Sequence, residues 1–188
     1  MNYGAVNRSK PGNLVSGDMY FFHQNKDSTL VAVIDGLGAG EAAHEAAERA
    51  RDCVSQNTDV ALADLLQRCH QALRGTRGAV MMLMRVCPAQ DSVTFAGVGN
   101  IGVRVLSDTP IRPISRNGIV GYRMNSVREF SYPYTIGDLF ILHSDGISTR
   151  FTIDEERIRD PRTNLQQIAQ EIADEFGKDD DITIVVVR

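Results

Sequence analysis

Apolar and polar positions along the chain fall into runs of two kinds. Residues 1–8 alternate weakly, 17–25 are aromatic-rich, and 28–35 ("STLVAVID") are almost continuously apolar. These runs predict three strands, the third buried on both faces, with a Pro-Gly turn between the first two. The period then changes. Ala43, Ala46, Ala47, Ala50 and Val54 share one face of a predicted helix over 41–56, and their small side chains suit close packing. A second helix is predicted over 59–74, ended by Gly75.

Strand-like runs return at 78–87, 91–100 and 101–107, separated by Pro, Gly and Asn, and read as an antiparallel meander. After a less regular segment, 129–134 and 138–143 form two more strands around a Gly-Asp turn. A helix over 164–176 and a strand over 181–188 close the chain. Helices occur as one consecutive pair and one late singleton, unlike a regular βαβ alternation. The pattern therefore predicts an α+β fold, a sandwich of sheets with helices outside.

Composition narrows the class. A chain of 188 residues fits one domain, 1–188, and 43% hydrophobic with 23% charged residues is ordinary for a soluble globular protein. A net charge of -4 argues against a nucleic-acid binder, whose domain is normally basic. No apolar run reaches membrane-spanning length, and the N-terminus lacks the charged-then-apolar pattern of a secretion signal, so a cytoplasmic location is expected; a monomer is expected as well. The three cysteines, Cys53, Cys69 and Cys87, are odd in number and show no C-x-x-C pairing. They read as reduced, buried thiols.

The turn after the third strand, "DGLGAG", invites a nucleotide-binding reading that fails in detail. Gly36 and Gly38 fit a dinucleotide fingerprint, but Glu41 takes the third glycine's place and no second strand with an acidic end follows about 20 residues on. No Lys-Ser or Lys-Thr follows the glycines, so a P-loop is excluded too. Asp35 stands directly before the turn, where a carboxylate would repel a pyrophosphate.

Asp35 is one of four aspartates placed where an apolar strand begins or ends beside Gly or another Asp. The others are Asp18 in "SGDMYFF", Asp145 in "FILHSDGIS" and Asp180 in "GKDDDITIVVV". Any one of them alone reads as a turn-former or cap. Strands are poor in Asp, however, and four such ends suggest a shared site. If the ends converge, charges about 5 Å apart repel by roughly 3 kcal/mol at an effective dielectric near 20. A fold tolerates this by protonating the cluster or by binding a cation. All-oxygen ligation selects Mg²⁺ or Mn²⁺.

In this order, "GD", "DGLGAG", "SDG" and "DDDITIVVV" resemble the metal-dependent (PPM, phosphatase 2C-like) serine/threonine phosphatases over nearly the whole chain. The short length and "RNGIVGYRMN" point to their bacterial SpoIIE/RsbX branch, with stressosome phosphatases nearest. The resemblance implies a four-layer α-β-β-α sandwich and a cleft holding two Mn²⁺ or Mg²⁺ ions. It implies that Asp35 bridges both ions, that the Gly36 carbonyl completes one, that Asp145 and Asp180 bind the second, and that Asp18 acts through water. Alignment to the family's Asp-Asn-x-Thr or Asp-Asp-x-Thr pattern, ending at Thr183, selects Asp180 within "DDD" and leaves Asp179 and Asp181 as solvated residues. The implied reaction is hydrolysis of phosphoserine or phosphothreonine by an activated water. Phosphorylated STAS-domain proteins of a stress-signalling complex are the implied substrates.

The sequence also departs from the family pattern. Leu37 stands where many relatives have a His after Asp-Gly, and Asn100 replaces an Asp that joins a third metal. His143 reads as a core histidine or a proton donor, and His44 as packing or solvent-facing. Arg112, Arg116, Arg123 and Arg128 form either a solvated basic loop or a dock for a phosphoprotein. A non-catalytic phosphoprotein-binding module on the same fold is the competing reading.

Overall fold

The computed structural model describes residues 1–188. Two antiparallel sheets lie face to face. One has the strand order β1 (Tyr3–Arg8), β11 (Ile182–Val187), β10 (Leu139–His143), β6 (Gly102–Leu106). The other runs β2 (Asp18–Gln24), β3 (Thr29–Gly36), β4 (Ala79–Cys87), β5 (Ser92–Val98), β9 (Phe130–Pro133). Helices α1 (Glu41–Ser55) and α2 (Leu62–Ala72) cover the second sheet, and α4 (Leu165–Phe176) covers the first. The expected α-β-β-α sandwich is the observed fold.

Period-2 alternation divides each central strand between two cores. On β3, Leu30, Ala32 and Ile34 face α1 and α2, whereas Val31 and Val33 face the opposite sheet. On β11, Ile184 and Val186 pack under α4, while Val185 and Val187 meet Val31 and Phe95 between the sheets. A strand buried on both faces has no polar side, which is why β3 reads as a continuous apolar run. The α1 face is the predicted one: Ala43, Ala46, Ala47, Ala50 and Val54 are all buried.

Two expectations change. The three runs from 78 to 107 are not one meander, because β4 and β5 pair in one sheet while β6 crosses to pair with β10 in the other. The chain turns between the sheets at Gly99, whose φ of +96° favours glycine, and β9 takes the place beside β5. Three short elements also go unannounced in the sequence pattern: the β7 (Gly118–Ile119) and β8 (Arg123–Met124) pair, and the five-residue helix α3 (Glu155–Arg159).

Candidate active site

Strand ends from both sheets meet at one edge of the sandwich. Asp18 opens β2 and Asp35 lies near the end of β3, and the antiparallel register sets them directly opposite one another. Asp145 follows β10 and Asp180 precedes β11, strands that are themselves paired. All four line one cleft of about 390 Å³, together with Asp181, Asn100, Leu37, Gly38, Val80 and Ile119. The four aspartates singled out in the sequence are thus brought together.

Glycines permit this convergence by contact. A Cβ on Gly36 would sit 2.1 Å from the Ala43 carbonyl oxygen, so only glycine lets the end of β3 pass against the first turn of α1. A Cβ on Gly146 would meet the Asp181 carbonyl oxygen at 1.9 Å, so the Asp145 loop and the Asp180 loop touch backbone to backbone. The Lys178 amide donates to the Gly146 carbonyl at 2.8 Å, and the Lys178 ammonium donates to the Asp145 carbonyl. The Ser144 amide donates to Thr183 O at 2.9 Å, and the Thr183 amide donates to Ser144 Oγ at 2.9 Å. These bonds fix Asp145 relative to Asp180.

Burial makes the cluster electrostatically costly. Asp18 is 2% exposed, and its Oδ2 atom has no hydrogen-bond partner. Burial, first, and the neighbouring carboxylates of Asp181, Asp145 and Asp180 push its pKa up to about 7, although the Ser144 hydroxyl pulls the other way. Asp35 is pushed to about 8, again mainly by burial and then by Asp18 and the other three acids.

Asp181 is not solvated as expected. It is 5% exposed; Oδ1 accepts the Lys10 amide at 2.7 Å and Oδ2 the Gly17 amide at 2.9 Å. It therefore ties the loop before Asp18 to the start of β11, while Asp179 is exposed. Asn7 adds a second tie, donating from Nδ2 to the Asp18 carbonyl at 2.8 Å and to Thr183 Oγ1 at 2.7 Å.

The remaining polar residues sort themselves. Asn100 Nδ2 donates to Asp145 Oδ2 at 3.0 Å, so it orients that carboxylate. His143 is buried against Phe151 and Gly102, its Nδ1 donates to the Ser144 carbonyl, and burial lowers its pKa; it is a core histidine. His44 Nδ1 donates to the Ser16 carbonyl at 2.8 Å, joining α1 to the loop before Asp18.

An orphaned, buried carboxylate oxygen beside four more carboxylates is a donor set for a hard divalent cation. No three acidic, His or Cys side chains enclose a common point by themselves. A cation here would draw its remaining ligands from backbone carbonyls and water, as Mg²⁺ characteristically does.

Residues 25–188 match the model of the stage II sporulation protein E (SpoIIE) family. The chain belongs to the SpoIIE family. This SpoIIE-family chain is 26% identical to the phosphoserine phosphatase RsbX of Bacillus subtilis (strain 168) over 189 residues, 95% of this chain and 89% of that protein. It superposes with a TM-score of 0.92 and 33% identity on a chain described under the bacterial stressosome, a modular system adapted to control secondary messenger signalling; the match covers 99% of this chain and 98% of that one. RsbX in complex with magnesium shares the fold at a TM-score of 0.84 and 23% identity, over 97% of this chain and 92% of that one.

Proposed function

We propose that this SpoIIE-family chain is a Mg²⁺- or Mn²⁺-dependent phosphoserine/phosphothreonine phosphatase, acting on phosphorylated STAS-domain proteins of a stress-signalling complex. The observation that carries the reading is the opposition of Asp18 and Asp35 across β2 and β3, with Asp18 Oδ2 buried and unpartnered. The similarity to RsbX, a phosphoserine phosphatase, and to a stressosome chain supports the substrate class. The magnesium complex of RsbX supports a divalent ion.

In this reading Asp35, with the Gly36 carbonyl, and Asp145 with Asp180 would hold the divalent ions. Bound divalent ions supply charge neutralisation for phosphate oxygens and a water acidic enough to attack near neutral pH. The chain's own part is placement. Asn100 fixes the Asp145 carboxylate through its Nδ2 bond to Oδ2. Asp181 holds Gly17, and with it the entry to β2, so that Asp18 is set in the cleft wall. Leu37, which also lines the cleft, has no acidic proton, so the proton for the leaving serine or threonine oxygen comes from water or another residue.

A binding module without turnover gains nothing from opposed buried carboxylates, whose repulsion lowers its stability. No helix is long and apolar enough to cross a membrane.

The test is hydrolysis of para-nitrophenyl phosphate and of a serine-phosphorylated STAS-domain protein, with Mg²⁺, with Mn²⁺ and with EDTA, beside the Asp145→Asn variant. Turnover that needs the cation and is lost in the variant is expected. A folded wild-type protein no more active than the variant on both substrates would sink the proposal.

A further inference from the structure

The carboxylate cleft poses a problem for its own substrate. Five aspartates line it, and a phosphomonoester is itself a dianion near neutral pH. Two divalent ions carry one charge fewer than five carboxylates, so an approaching phosphate still needs a cation from the protein.

Lys178 donates from its ammonium to the Asp145 carbonyl, and an ammonium offers no planar fork for two phosphoryl oxygens. Arg77 is placed differently. It lies in the loop between α2 and β4, which is tied to the metal-cleft turn by the Leu37 amide donating to the Gly78 carbonyl at 3.0 Å. Its guanidinium rests on Gly38, a residue of the cleft wall: a Cβ on Gly38 would meet Arg77 Nη1 at 2.4 Å. Gly38 has φ +96°, so the turn and the close approach both call for glycine there. Arg77 is exposed and, among eight ion pairs in the molecule, takes part in none. An arginine resting on the Gly38 wall of the cleft and paired with no carboxylate has its donors free for another anion.

We propose that Arg77 is the residue that grips the phosphate of the substrate, its guanidinium fork taking two phosphoryl oxygens at the Gly38 rim of the cleft. Bidentate recognition of a phosphate is the geometry a guanidinium matches and an ammonium does not. The inference rests on the phosphatase reading and names the group that would bind its substrate.

Inorganic phosphate in the presence of Mg²⁺ is the probe, titrated by calorimetry, with KM and kcat on para-nitrophenyl phosphate measured alongside. Arg77→Met keeps the aliphatic stem over Gly38 and removes the fork; Arg77→Lys keeps the charge and removes the bidentate geometry. Phosphate affinity is expected to fall about ten- to a hundredfold in Arg77→Met. Arg77→Lys should fall between it and wild type. KM should rise in parallel while kcat changes little, at unchanged melting temperature. Phosphate affinity and KM within twofold of wild type in both variants would overturn the proposal. If wild type binds phosphate but does not turn over, the calorimetry still decides the role of Arg77, and the phosphatase reading fails separately.

Discussion

Asp18 and Asp35 face each other across β2 and β3, two acids at directly paired positions, with one carboxylate oxygen of Asp18 left without a hydrogen-bond partner. Like charges directly opposite in a ladder are destabilising, and burial adds to the cost. Replacing Asp35 by Asn removes one charge and should stabilise the metal-free protein by about 1–3 kcal/mol. For a chain of this size that is a rise in melting temperature of about 2–10 °C in EDTA. The same variant should lose turnover. A lower melting temperature for Asp35→Asn in EDTA would show that the carboxylate is stabilised by something other than a cation.

The same two residues set a pH dependence. In the folded chain Asp18 is raised to about 7 and Asp35 to about 8, each from 3.8. Between about pH 4 and 8 the native state therefore binds more protons than the unfolded state, and stability falls as pH rises. His143 opposes this at the acid end: its lowered pKa means that stability is gained as pH rises towards 6.5. The clean window is therefore pH 6.5 to 8. There the melting temperature in EDTA should drop, and Mg²⁺ should raise it by more at pH 8 than at pH 6.5. A flat profile in EDTA would remove the electrostatic account.

Asp181 carries a structural prediction. Its two oxygens accept the Lys10 and Gly17 amides, and an Asn can satisfy only one of them. Asp181→Asn should cost about 1–3 kcal/mol, read as a lower urea midpoint at unchanged slope. Turnover should fall as well, because Gly17 positions Asp18. The exposed Asp179→Asn should stay within about 0.5 kcal/mol of wild type. Equal midpoints for the two variants would refute the distinction.

That distinction marks how far the sequence alone could be read. Asp18, Asp35, Asp145 and Asp180 were legible because an Asp at the end of an apolar strand conflicts with local propensity, and the conflict is visible without the fold. Asp181 was not, since its burial depends on a loop 164 residues away folding over it. The crossing of β6 between sheets was hidden for a similar reason: period-2 alternation fixes which residues face the core and leaves the partner strand open. Helix α3 buries Ile158 alone, and β7 and β8 hold two residues each, too short for any periodicity. Arg77 carries no sequence signal, because its neighbour Gly38 is nearly forty positions away.

Asn100 offers the last test, because it touches the site without being an acid. Its Nδ2 donates to Asp145 Oδ2 at 3.0 Å, a bond that a carboxylate at the same position would replace with repulsion. Asn100→Asp adds a charge to a cleft that already holds five aspartates. In EDTA the variant should therefore melt below wild type. Saturating Mg²⁺ or Mn²⁺ should recover most of the loss, since the added carboxylate is also an added oxygen ligand and binding to the native state raises stability. Asn100→Ala, which loses the bond and adds no charge, should be milder in EDTA by contrast and should gain nothing extra from the cation. Calorimetric titration of the three proteins would decide it. If Asn100→Asp binds the cation no more tightly than Asn100→Ala, Asn100 only orients Asp145 and the space beside it cannot take a further ion.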